Sequence, residues 1–167
     1  MNNEPLLIIN QRLMNEGLGN RFLPLLEEEG GAVIAPIFQD KVLLENQNNI
    51  WHLPYDFGDM QFEFENGYLN YEKLANRVMD ISFGLRNYQN IRDLGYITFF
   101  NNMRSKLHLI AYYIHPNTNF NTMRLSQSDG IIQADLVDYR KLIQLIANGT
   151  IRDGLTLASL PLIEGAL

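Results

Sequence analysis

Few residues in this chain have the types and spacing for chemistry, and the clearest are carboxylates. Glu63 and Glu65 alternate with Phe62 and Phe64, so both acids would share one face of a strand. Glu72 opens the helical stretch that follows. Such a trio could hold a magnesium ion, which takes one or two carboxylates and keeps several waters. A metal held in this way polarises a substrate oxygen and activates water. The plainer reading is three solvated surface acids. Arg77 lies further along the same helix, and its plain reading is a salt bridge to a nearby acid. Other chemistries are thinner. There is no cysteine, and His52, His108 and His115 lack zinc-ligand spacing. No glycine-rich phosphate loop is present. Trp51 reads as core or pocket wall, His52 as a polar surface residue, and Tyr112 and Tyr113 as packing.

Composition bounds the partners. The 167 residues amount to one domain, long enough to bury a core without staples. The net charge of −6, from 13 basic and 19 acidic residues, speaks against a basic nucleic-acid footprint. No apolar run reaches bilayer length, and the N-terminus lacks the pattern of a signal peptide. A cytoplasmic protein with neither a nucleic-acid nor a membrane partner is the expectation.

Hydrophobic periodicity supplies the elements that must position these residues. Leu6–Ile9 reads as a short strand and residues 12–29 are ambiguous. Residues 31–38 and 42–45 read as a hairpin around Gln39-Asp40-Lys41. A third strand begins at Ile50 and stops at Pro54, and Gln61–Glu65 alternates as a fourth. From Tyr71 the pattern is helical, with Leu74, Val78, Ile81 and Leu85 as one apolar stripe and Gly84 at the C-terminal cap. Strands are expected at 94–100 and 106–114, a mobile polar loop at 117–128, and a short strand at 131–135. A helix over 139–147 should turn Leu142, Ile143 and Ile146 inward. A last helix over 153–162 should stop or bend near Pro161. This order predicts an α/β (α+β) fold, a mixed β-sheet sandwiched between α-helices.

Four stretches carry a family likeness. Gly149-Thr150-Ile151-Arg152-Asp153 leads through Thr156 into an apolar helix. Trp51-His52-Leu53-Pro54, the hairpin at Ala32–Ile37 and Val42–Leu44, and the helix start Ala75-Asn76-Arg77 are the others. In this order and spacing they resemble a Nudix domain of the ADP-ribose pyrophosphatase and ADP-compounds hydrolase branch. The resemblance divides the chain into an N-terminal strand and dimerisation segment, 1–29, and a degenerate Nudix domain, 30–167. It implies a homodimer.

The departures from that family fall on the catalytic positions. A Nudix helix reads Arg-Glu-apolar-x-Glu-Glu-x-Gly-apolar. Arg77, Met79, Gly84 and Leu85 fill the frame, but Val78, Ile81 and Ser82 stand at the three glutamate positions. Counting back, the family's box glycine falls on Glu63, its outlying glutamate on Leu69, and the glycine after Leu-Pro-x on Asp56. A strand arginine that often contacts the ADP portion falls near Asn46. Losing one preorganised electrostatic group of comparable kind costs about 10²–10³ in rate. The expectation is a non-catalytic Nudix-fold binding or assembly module, with no catalytic residue, no metal ligand and no cofactor. An ADP-containing small molecule or a protein docked on the altered helix face would be its partner. That face is apolar, so the old cleft should be either filled or turned into an exposed greasy surface. The alternative is an active magnesium-dependent pyrophosphatase of nucleoside diphosphates, using relocated carboxylates at Glu63, Glu65 and Glu72.

Overall fold

Strand β1 (Glu29–Phe38) is the axis of the molecule, because both of its faces are covered. Ala32 and Ile34 pack to one side, Val33 and Ala35 to the other, and all four are fully buried. This period-two division of an uninterrupted apolar run is what a central strand requires. The computed structural model describes residues 29–58, 63–65, 68–98 and 106–167. The expected strand at Leu6–Ile9 and the 1–29 segment, apart from Glu29, lie outside the described residues.

β1 turns at Gln39-Asp40 into β2 (Lys41–Gln47), then β3 (Ile50–His52) and β4 (Tyr55–Phe57). A small hairpin, β5 (Phe64–Glu65) and β6 (Tyr68–Leu69), precedes helix α1 (Tyr71–Phe83). β7 (Tyr88–Thr98), β8 (Lys106–Ile114) and β9 (Ile131–Asp138) follow, and then helices α2 (Tyr139–Ala147) and α3 (Gly154–Glu164). The main sheet has seven strands, with the path β3-β2-β1-β8-β7. β1 and β8 are parallel and the other pairings antiparallel. β1 and β2 pair only beside their turn; beyond it β1 pairs with β4 and β2 with β3, while β9 pairs with β2 from Lys41 to Gln47. Pro36, which has no N–H to donate, stands where the two strands part. Gly31 is needed at the far end, since a Cβ there would come 2.7 Å from the Asp56 carbonyl.

The expected mixed sheet between helical layers is the observed one. α1 covers one face through Leu74, Ala75, Val78, Met79 and Phe83. α2 and α3 cover the other through Leu142, Leu155 and Ile163. Asn70 caps the start of α1 by accepting from the Lys73 N–H, 3.1 Å, and Gly84 ends it in the left-handed region at φ 66°. Tyr112 is fully buried, which bears out its reading as packing, and burial pushes its phenol up to about 12.

Several expectations need correcting. The α1 stripe is rotated, because Ile81 is 47% exposed while Ala75, Met79 and Ser82 are buried. On α2, Ile143 is exposed; Leu142 points inward, with Leu145 and Ile146 packed beside it. β7 begins six residues early, since pairing with β8 holds the polar stretch from Tyr88 in an edge strand. α3 runs through Pro161 to Glu164, and the full burial of Ile163 offsets the lost hydrogen bond. The loop expected to be mobile contains a 3₁₀ turn, Phe120–Thr122, with Phe120 edge-on to Phe38 at 4.8 Å. Its backbone docks on the end of α1: Arg124 N–H donates to the Phe83 carbonyl (2.9 Å) and Ser126 N–H to the Ser82 carbonyl (3.3 Å). Those carbonyls have no partner within the helix, so the loop is tied down by satisfying them.

Candidate functional site: an acidic cleft beside helix α1

Strand pairing and helix geometry bring Val78, Ile81 and Ser82 to one wall of a cleft of about 250 Å³. Spacing of three and four residues puts them on one side of α1, as the sequence implied. The opposite wall comes from β2 and the β3–β4 segment. Leu43 faces α1, so two-residue alternation turns Glu45 and Gln47 the same way. His52, Tyr55 and Asp56 enter from the strand ends, and Asp129 and Ile131 close the far side. The cleft is therefore neither filled by Val78 and Ile81 nor a flat greasy patch. Val78 and Ser82 are small enough to leave it open, and its sheet side is polar. Among the described residues no Lys or Arg lines it.

Glu45 is the residue that sequence reasoning missed. It is 4% exposed, and its Oε2 has no hydrogen-bond partner among the described residues. Burial pushes its carboxyl above the ordinary value; His52 and the Ser82 hydroxyl pull it back, and Asp129 pushes it further up. Its other oxygen, Oε1, lies 3.6 Å from His52 Nδ1. That ring nitrogen sits 2.8 Å from the Leu53 carbonyl, which can only accept, so Nδ1 carries the proton. His52 is thus a buried residue beside Glu45, correcting its reading as surface. It is 4% exposed because β3 pairs with β2 and sets His52 opposite Glu45. A two-residue alternation from Leu43 was the only signal in the sequence that could have found Glu45.

Raising the carboxyl pKa has a definite sign for stability. The native state holds the Glu45 proton to higher pH than the unfolded chain does. Its favourable contribution is present at low pH and fades as pH rises from about 4.5 through the raised native value. The stability difference between wild type and Glu45→Gln, followed by urea unfolding from acid to neutral pH, should move steadily in the variant's favour. A difference independent of pH would refute this assignment.

The Tyr55 phenol is held above its ordinary value by burial and by Asp153, Glu45 and Asp56. Glu45, Asp56 and Asp129 give the cleft three carboxylates, of which Asp56 is paired with Arg77.

The three candidate ligands of the alternative reading do not converge. Glu63 is 2% exposed, correcting the surface reading, and binds Arg77 through both carboxylate oxygens. Glu65 is exposed, pairs with Lys73 and accepts from Asn70 Nδ2 at 3.1 Å. Glu72 is exposed and accepts from the Tyr88 hydroxyl. Arg77 also donates to Asp56 Oδ2 (2.8 Å) and to the Phe57 carbonyl (2.9 Å), so its expected ion pair is a double one. Hydrogen bonds to Glu63 raise its guanidinium pKa, burial opposes them, and Asp56 adds to them. No group of three or more His, Asp or Glu among the described residues is placed to hold a metal ion. Glu63, Glu65 and Glu72 are each engaged with a different partner and form no shared magnesium site.

The tail pattern from Gly149 to Thr156 has a structural role. Asp153 caps α3, accepting from the Thr156 N–H at 2.7 Å and from its hydroxyl at 2.8 Å. The same hydroxyl accepts from the Leu53 N–H at 2.9 Å. Ile34 N–H in turn donates to the Pro54 carbonyl at 2.8 Å. Leu53-Pro54 is thereby pinned on both sides, which sets His52, Tyr55 and Asp56 at the cleft. Trp51, half-buried, packs against the α2–α3 side of the core.

A mixed sheet split along β1, helices on both faces, and a cleft between α1 and the sheet define a Nudix-like fold. Among the solved structures that share this fold are two crystal structures. One, an ADP compounds hydrolase, matches with a TM-score of 0.57 at 14% identity, over 83% of this chain and 72% of that one. The other, DR0079 from Deinococcus radiodurans, matches with a TM-score of 0.54 at 14% identity, over 74% of each chain. No protein-family model matches the sequence, and no curated protein matches it. Among the described residues no helix is long and apolar enough to cross a membrane.

Proposed function

We propose that this chain is a non-catalytic member of the Nudix-like architecture, working as a binding module through the cleft beside α1. The observation that carries the reading is the helix wall of that cleft, made by Val78, Ile81 and Ser82. Two of these cannot ligate a metal, and a single neutral hydroxyl is a poor magnesium site. Without a metal, a diphosphate in this cleft would meet Glu45, Asp129 and the Arg77-paired Asp56, and among the described residues no lysine or arginine lines it. Like charges at that range are repulsive, so an ADP-containing ligand is disfavoured. Incubation with ADP-ribose and magnesium or manganese should release AMP no faster than a blank. Turnover well above the blank, abolished by Glu45→Gln or Glu72→Gln, would overturn the proposal.

A further inference from the structure

We propose that release of the Glu45 proton loosens strand β3 from the sheet, so that one wall of the cleft responds to pH. This adds regulation to the binding cleft and rests on that reading only for its purpose. Three elements meet at the carboxyl. β3 pairs antiparallel with β2 and sets His52 opposite Glu45, its Nδ1 3.6 Å from Oε1. Ser82 reaches the same carboxyl from α1. The Glu45 and His52 side chains are each 6% exposed, so water solvates neither freely. With the carboxyl protonated and His52 neutral, the pair carries no charge. Once the proton leaves, a net anion is buried near Asp129, and Oε2 has no hydrogen-bond partner among the described residues. A buried carboxylate in that state is costly, and solvation relieves the cost only if a wall moves.

β3 is the wall free to move. It is three residues long, ends the sheet path, and among the described residues pairs only with β2. Asn48 and Asn49, just before it, lie in the left-handed region at φ 52° and 67°, which side chains disfavour. Leu53 and Pro54, just after it, are pinned by Thr156 and Ile34, so movement stops at His52. β2 is held by β9 along its length, and Ser82 rides on a helix whose inner face is core. The other groups around the cleft do not release a proton in this range. Asp56 is paired with Arg77, and the Tyr55 phenol is held above its ordinary value of 10.0. Exposed Asp129 accepts from the Ser126 hydroxyl and, as a carboxylate, strengthens the hold of Glu45 on its proton. His52 would shed positive charge as pH rises, which acts in the same direction as ionising Glu45.

Trp51, the single tryptophan of the sequence, sits on β3 beside His52 and packs against the core, so its fluorescence reads the strand directly. As the pH of the full chain rises from 4.5 to about 8, the emission maximum should move to longer wavelength and acrylamide quenching should increase. Glu45→Gln keeps the side chain neutral at every pH and should hold both readings constant. Asp129→Asn, at an exposed position, should move the midpoint of the change to lower pH, and it serves where the Glu45 variant folds poorly. Emission and quenching that stay constant in the wild type would overturn the proposal. So would an equal change in Glu45→Gln, or an Asp129→Asn midpoint at the wild-type pH. Trp51 fluorescence decides this proposal, and AMP release from ADP-ribose separately decides the non-catalytic reading.

Discussion

The Arg77→Met variant should lose about 3–5 kcal/mol of folding stability, the usual cost of breaking a buried ion pair by removing one partner. Glu63 is 2% exposed and takes two hydrogen bonds from the guanidinium. Arg77 itself is 28% exposed, which favours the lower end of that range. Methionine keeps the length of the stem but leaves the Glu63 carboxylate without its forked counterpart. The Asp56 and Phe57 oxygens lose a donor as well. Urea unfolding at neutral pH measures the loss. The double variant Arg77→Met with Glu63→Gln should recover a large part of it, because the buried charge goes with the pair. A loss below about 1 kcal/mol in the single variant would show the clamp to behave as a surface pair.

Thr156→Val should cost about 1–3 kcal/mol, the price of a buried polar group left without its partner. Valine matches the shape of threonine, so packing around this fully buried position is kept. The Leu53 N–H loses its acceptor, and Asp153 loses one of its two donors on Thr156. The backbone cap from the Thr156 N–H to Asp153 survives, so α3 should persist by circular dichroism while the unfolding midpoint falls. Hydrogen exchange at the Leu53 amide should accelerate more than exchange in β8. Unchanged protection at Leu53 would show that the hydroxyl does not hold the segment.

Much of the scaffold was legible because its signals are local. The β1–β2 hairpin, α1 with its glycine cap, β8 and α2 were placed from apolar runs, periodicity and turn residues. The solvent-exposed and tied-down regions were less legible. β7 extends into polar sequence because β8 supplies its hydrogen-bond partners, and the 117–128 loop is ordered by carbonyls at the end of α1. Neither partner is close in sequence. The same limit applied to the site. The pattern of α1 showed which side chains would line its cleft face, but not what would stand opposite them.

The order and spacing of the motifs determined the α/β architecture and put Val78, Ile81 and Ser82 on one side of α1, since residue identity and helical period suffice for both. Tertiary structure decided what stands opposite them. Strand pairing set His52 against Glu45, the Arg77 clamp withdrew Glu63 from the solvent, and the cleft stayed open with an acidic sheet wall. These outcomes depend on burial and on which distant groups meet, and a carboxylate's character follows from its surroundings more than from its place in the chain.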